Sequence, residues 1–139
     1  MKLTRRESLW ICLGGVAAAA FPMGVSAATV EELTAAFTGG AAPGTTGITL
    51  TAPEIAENGN TVPVSVDAPG AVAIMILATG NPEPAVVTFN FGPAAGSQAA
   101  STRIRLAKTQ DVIAMARMAD GSIVQAQATV KVTIGGCGG

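Results

Sequence analysis

The hydrophobic period changes once along the chain, from helical to alternating. Between Thr29 and Phe37 the apolar residues Val30, Leu33, Ala36 and Phe37 fall on one helical face. Thr29 and Glu32 stand at capping-box spacing, Glu31 and Glu32 suit the positive end of the helix dipole, and Gly39-Gly40 stops the run. This predicts a short amphipathic helix, which either covers one end or edge of a sheet or docks a partner chain. The segment from Ala41 to Gly47 reads as a loop.

From Ile48 onward the period is two, that of strands. Ile48–Thr51 alternates and Glu57-Asn58-Gly59-Asn60 is a turn signal. Thr61–Asp67 alternates again, with Pro63 pointing to an edge or a bulge. Ala71–Leu77 is almost continuously apolar and predicts a buried central strand. Val86–Phe91, Ala99–Leu106 and Asp111–Met118 follow as further strands. Ala119-Asp120-Gly121-Ser122 is a hairpin turn, because Asp-Gly tolerates the positive φ of tight turns. The final strand is predicted over Ile123–Ile134. About seven strands with turn signals at short intervals predict an all-β fold, an immunoglobulin-like antiparallel β-sandwich. The paired cysteines and buried strand Trp of antibody domains are lacking, and periodicity does not give the strand order.

The first residues belong to another class of segment. Arg5-Arg6 sits in a basic stretch that runs into apolar residues from Leu9 to Phe21, then Pro22 and Val25-Ser26-Ala27. A charged start, a short apolar core and a small-residue end predict a twin-arginine export signal over residues 1–27, with a membrane anchor as the alternative. The β-sandwich domain is then expected over 28–134 and a C-terminal arm over 135–139, in a periplasmic protein. Twin-arginine export moves folded proteins, so a partner lacking a signal could cross while bound to this one. Cys12 lies within the signal without the small residues a lipidation site needs, so the mature chain keeps one cysteine, Cys137.

Removal of the signal leaves five basic and eight acidic residues, a net charge of −3. The basic residues are scattered and aromatics are 4% of the chain, which argues against nucleic acid as a partner. There is no His in the sequence, so a His-based triad or His-ligated metal site is excluded. No cofactor is implied. The remaining reactive group is Cys137, set between Gly135-Gly136 and Gly138-Gly139. A thiolate can accept a group and release it again. No base or oxyanion donor neighbours it in sequence, so it has no catalytic machinery of its own. The glycines make a thin tether suited to a narrow active-site channel. Two readings stay open from the residues: a non-catalytic carrier presenting one thiol to several enzymes, or a structural sandwich module with an inter-chain tail disulfide.

The terminal Gly-Gly-Cys-Gly-Gly behind a long strand and a twin-arginine signal resembles the SoxY family of the bacterial sulfur-oxidising (Sox) system. The likeness extends through Ile55–Val64, Ser101–Ala107 and Met118–Ser122. The resemblance implies an immunoglobulin-like sandwich that pairs with a second sandwich subunit, SoxZ, and carries sulfur covalently on Cys137, with Gly135, Gly136, Gly138 and Gly139 as tether. It also implies that the SoxAX cytochrome complex joins thiosulfate to the thiol and that the hydrolase SoxB releases sulfate, leaving a persulfide for other enzymes. A ubiquitin-like carrier using its terminal diglycine fits poorly with an export signal and with this many strands.

Overall fold

A computed structural model of the protein describes residues 26–133. Nearly all of the expected export signal, Ile134 and the terminal Gly-Gly-Cys-Gly-Gly lie outside the described residues. Among the described residues one helix, α1 (Val30–Thr38), precedes eight strands. These are β1 (Thr49–Thr51), β2 (Ile55–Ala56), β3 (Val62–Asp67), β4 (Ala71–Ala78), β5 (Ala85–Asn90), β6 (Ala99–Ile104), β7 (Gln110–Met118) and β8 (Ile123–Val132). They form a three-stranded sheet, β1-β3-β6, and a five-stranded sheet, β2-β8-β7-β4-β5. The expected sandwich of immunoglobulin-like type is therefore present. All strand pairings are antiparallel except that of β2 with β8, which is parallel.

The continuous apolar character of β4 has a direct cause: both of its faces are covered. Ile74, Ile76 and Ala78 point between the sheets, where they meet Val62, Val64 and Val66 of β3 and Val112, Ala114 and Ala116 of β7. Ala73, Met75 and Leu77 point the other way and form a second core with Met115, Ile123 and Phe37 of α1. Strands buried on both faces read as unbroken apolar runs, which is the pattern of Ala71–Leu77.

Helix α1 begins and ends where its sequence signals place it. Thr29 Oγ1 accepts the Glu32 amide at 3.2 Å, and Glu32 Oε2 accepts the Thr29 amide at 2.9 Å. Gly39 closes the helix with φ 63°. The helix lies on the outer face of the five-stranded sheet, not at an end or edge. Its contact residues are Phe37 with the half-buried Val30 and Leu33, while Ala36, expected on the same face, is exposed. No basic residue stands in the last turn. Arg117 of β7 fills that role: its Nη2 donates to the Phe37 carbonyl at 2.6 Å, and its guanidinium lies 4.8 Å from the Phe37 ring centroid.

Two local expectations took different forms. Pro63 lies in β3, the middle strand of its sheet, but β1 pairs only with Ser65–Asp67, so Pro63 sits where one flank has no neighbouring strand. At the β7–β8 hairpin only Gly121 has positive φ (87°), and the Gly121 amide donates to Met118 O at 3.0 Å. The Met118 amide in turn donates to Ser122 O, so three residues form the turn rather than an Asp-Gly pair both at positive φ. Asp120 Oδ1 accepts the Ser122 hydroxyl at 2.6 Å and its amide at 2.9 Å, which holds the Asp120 carboxyl below its ordinary pKa. A depressed carboxyl stabilises above its unfolded pKa, and that contribution is lost as pH falls through the folded value.

Replacing Phe37 by Ala is expected to cost roughly 3 kcal/mol, the usual scale for a buried Phe. Urea denaturation measures the loss, and amide exchange should rise first across Val30–Thr38.

Candidate functional site at the base of the C-terminal arm

The last strand leads toward Cys137, so the surroundings of its end are the site's foundation. The regular β7–β8 ladder reaches Gln110↔Val130 at this end. Beyond it Thr109 continues the pairing with its side chain: its hydroxyl oxygen accepts the Val132 amide at 3.0 Å and lies 3.4 Å from the Val132 carbonyl as donor. On the opposite flank the parallel β2 segment takes over. The Lys131 amide donates to Glu54 O at 2.8 Å, and the Thr133 amide donates to Ala56 O at 3.0 Å. Thr133 Oγ1 reaches the same Ala56 carbonyl at 3.4 Å. Main-chain amides of 131, 132 and 133 are thus held alternately from two sides, up to four positions before Cys137.

The bracket is packed from below by the turn after β2. The Leu106 amide donates to Gly59 O at 2.7 Å. A Cβ on residue 59 would come within 2.5 Å of Leu106 O and 2.9 Å of Val132 Cγ1, so only glycine lets the turn approach β8 this closely. Asn58 shapes the turn by accepting the Asn60 amide on its own side chain at 3.0 Å.

A polar network fixes the loop that presents Thr109. Gln110 is the buried polar residue of the body, and every bond it makes is local to this end. Its Nε2 donates to Asn81 Oδ1 and to Lys108 O, both at 2.9 Å, and its Oε1 accepts the Gly80 amide at 2.8 Å. Asn81 continues outward, donating to Arg105 O at 2.7 Å and accepting the Ala107 amide at 2.9 Å. No buried side-chain polar atom among the described residues lacks a partner. A satisfied network of this kind rigidifies the loop between β6 and β7.

Two shallow hollows flank the bracket and meet at Ile55, which is 57% exposed. One, about 380 Å³, is lined by Glu54, Ile55, Thr129 and Lys131. The other, about 460 Å³, runs from Pro53 along Ile55 and Glu57 to Pro63. No group of three or more His, Cys, Asp or Glu that could hold a metal occurs among the described residues.

Cys137, Gly135, Gly136, Gly138 and Gly139 lie outside the described residues. The residues that sequence reasoning missed are those of the bracket: Thr109, Ala56, Thr133 and Gly59. The Asn58-Gly59-Asn60 signal marked Gly59 as a turn without a location, Ala56 and Gly59 lay within the family-like segment Ile55–Val64, and Thr133 lay within the expected final strand, but none of these announced a bracket. Of the segments that resemble the SoxY family, Ile55–Val64 and Ser101–Ala107 converge at this base, whereas Met118–Ser122 forms the hairpin at the other end of β8.

The architecture is a two-sheet β-sandwich whose last strand is clamped just short of a terminal cysteine. Residues 34–137 match the family described as sulfur oxidation protein SoxY, and the chain belongs to that family. Its structure is similar to that of the sulfur carrier protein SoxY from Chlorobium limicola f thiosulfatophilum. That similarity has a TM-score of 0.65 and 37% identity, over 76% of this chain and 97% of that one. The superoxide reductase (neelaredoxin) of Ignicoccus hospitalis shares the fold at TM-score 0.56 and 17% identity, over 81% of this chain and 100% of that one. A putative superoxide reductase from Thermotoga maritima does so at TM-score 0.52 and 15% identity, over 62% and 85%. No curated protein sequence matches the chain.

Thr109→Val keeps the shape and removes the hydroxyl. It is expected to lower stability by about 0.5–1 kcal/mol, because water replaces an exposed bond, and to speed amide exchange at Val132 while β4 amides stay unchanged.

Proposed function

We propose that the protein carries thiosulfate-derived sulfur covalently on Cys137 and presents it to the enzymes of a sulfur-oxidising system, itself remaining non-catalytic. The observation that carries this reading is membership of the SoxY family, with a match that runs through the body and ends on Cys137. The likeness to a sulfur carrier protein supports it. In this reading residues 1–27 are a twin-arginine signal, 28–134 the carrier domain and 135–139 the arm of a periplasmic protein. No helix among the described residues is long and apolar enough to cross a membrane.

The chemistry divides between chain and partners. Loading joins the Cys137 sulfur to the terminal sulfur of thiosulfate, giving a cysteine S-thiosulfonate, one proton and two electrons. The electrons pass to a cytochrome partner of the SoxAX type. A hydrolase of the SoxB type then adds water, releasing sulfate and a proton and leaving a persulfide on Cys137. Both steps need a thiol that other proteins can enclose, because Cys137 has no neighbouring base in sequence to activate it. Cys137 lies four positions beyond Thr133, a reach of at most about 13–14 Å when extended. Gly135, Gly136, Gly138 and Gly139 keep that reach slim, and a SoxZ-like sandwich subunit completes the carrier.

The test is the intact mass of the mature chain after thiosulfate and the partner enzymes are added. The wild type should gain a thiosulfate adduct that collapses to a persulfide on hydrolysis, and Cys137→Ser should gain neither. Adducts on the Ser variant, or a wild-type chain that forms only a reducible dimer, would overturn the reading.

A further inference from the structure

An asparagine followed by a free, unhindered main-chain amide can lose its side-chain nitrogen without an enzyme. The sequence has four asparagines, and the fold places them in different settings. Asn81 precedes Pro82, which has no N–H to give up, and its carboxamide is tied to the Arg105 carbonyl and the Ala107 amide. Asn90 precedes the bulky Phe91, whose amide donates to Val72 O at 2.9 Å. Asn60 precedes the β-branched Thr61, whose amide lies 3.4 Å from Asn58 O.

Asn58 differs from the other three. It is exposed, and the next residue is Gly59, which has no side chain to hinder attack. Neither the Gly59 amide nor Asn58 Nδ2 donates to a described residue. Asn58 Oδ1 accepts the Asn60 amide at 3.0 Å, which folds the carboxamide back across the Gly59 peptide. The Asn60 N–H thus points at the oxygen on which negative charge develops when the carboxamide carbon is attacked, the place of an oxyanion donor. Asp120-Gly121 offers a contrast within the same chain. There the Gly121 amide is held by Met118 O at 3.0 Å, and bonds from Ser122 keep the Asp120 carboxyl ionised, the form that resists attack.

We propose that Asn58 is a site of spontaneous deamidation in the folded protein, a slow modification placed at the base of the arm. Gly59 N bonds to Asn58 Cγ and gives its proton to water, while the Cγ–Nδ2 bond breaks and ammonia leaves. Water then opens the resulting succinimide on one of two sides. Opening at Cγ leaves an aspartate at position 58. Opening at the main-chain carbonyl leaves an isoaspartate, in which the main chain runs through the former side chain. Either way amide and water become carboxylate and ammonium, with no oxidant or reductant.

The two products act differently on the bracket. The aspartate keeps an oxygen for the Asn60 amide and adds a negative charge beside Glu57. The isoaspartate adds a methylene to the main chain just before Gly59, where there is no slack. The Leu106 amide donates to Gly59 O at 2.7 Å, and one added carbon on Gly59 would meet Leu106 O at 2.5 Å and Val132 Cγ1 at 2.9 Å. The lengthened turn moves off Val132 and loosens the end of β8. This holds whether or not Cys137 carries cargo, and so stands apart from the sulfur-carrier reading.

The experiment incubates the folded mature chain carrying Cys137→Ser at mildly alkaline pH and maps its peptides by mass, with isoaspartyl methylation to separate the two products. Asn58 is expected to convert on the order of tenfold or more faster than Asn60, Asn81 or Asn90. The converted chain gains a negative charge and shifts on anion exchange. Asn58→Gln should remove the shift, because attack would need a larger ring, and freshly prepared Asn58→Asp should show it from the start. The isolated isoaspartate form should exchange its Val132 amide faster than the parent, while β4 amides stay unchanged. Unfolding in urea should not speed conversion at Asn58, since it removes the Asn60 donor. A folded chain that converts at Asn58 no faster than at Asn60 or Asn90 would overturn the proposal. So would a rate that rises on unfolding, or an isoaspartate form with Val132 exchange unchanged.

Discussion

Double-sided burial of the middle strands is the constraint on which the other elements depend. β4 and β7 carry apolar residues on both faces, with Ile74, Ile76, Val112 and Ala114 on one and Met75, Leu77 and Met115 on the other. A two-layer sandwich covers only the first set. The second set forces a third layer, and α1 supplies it with Phe37 seated on Met75, Leu77 and Met115. The helix is too short, at nine residues, to persist on its own in water. Its capping box, the Gly39 stop and the Arg117 bond to the Phe37 carbonyl all serve to keep it on that face.

Because stability is concentrated in these central strands, the end of β8 can be held by a separate set of contacts. Glu54, Thr109, Ala56 and the Gly59 turn act on residues 131–133, away from the Phe37 cluster. The Gln110–Asn81 network belongs to the same end and ties the loops after β4 and β6 to the start of β7. Hydrogen bonds of this kind contribute about 1 kcal/mol each, small beside a core residue, but they fix the position of residues 131–133. The placement of Thr133, the last described residue, is thus set by side-chain and loop contacts and not by the sheet alone.

What could be read from the sequence follows the range of each interaction. α1 was legible because Thr29, Glu32 and Gly39 act within a few residues of one another, and the period of Val30, Leu33 and Phe37 marks its buried face. Ala36 was misplaced because helical spacing gives a face only to within a residue; Ala36 lies at its exposed margin. β3 to β8 were legible from alternation, and β4 from its unbroken apolar run. β2 was not, since two residues have no period, and Ile55 pairs with Lys131 across more than half the chain. For the same reason Thr109 read as an ordinary loop residue: its partner Val132 is 23 positions away. The terminal cysteine and its glycines were conspicuous from composition alone, and the bracket that precedes them was hidden.

In the proposed carrier, the bracket and the arm face opposite physical demands. A covalent carrier has to release its cargo group into other proteins' sites without spending its own folding free energy on each visit. That requires a sharp boundary between ordered and accessible chain. Val130 is fully buried and paired with Gln110, Val132 is held by Thr109, and Thr133 is held by Ala56. In the sequence, Ile134 and then Gly135-Gly136 follow. Fraying of a strand end normally spreads inward, because each lost pair exposes the next. Here the two sides of β8 are held by different elements, Thr109 on one and β2 on the other, so loss of one contact leaves the other in place. In the proposed carrier, cargo handling at Cys137 is thereby separated from the Phe37-anchored core that sets the stability of the body.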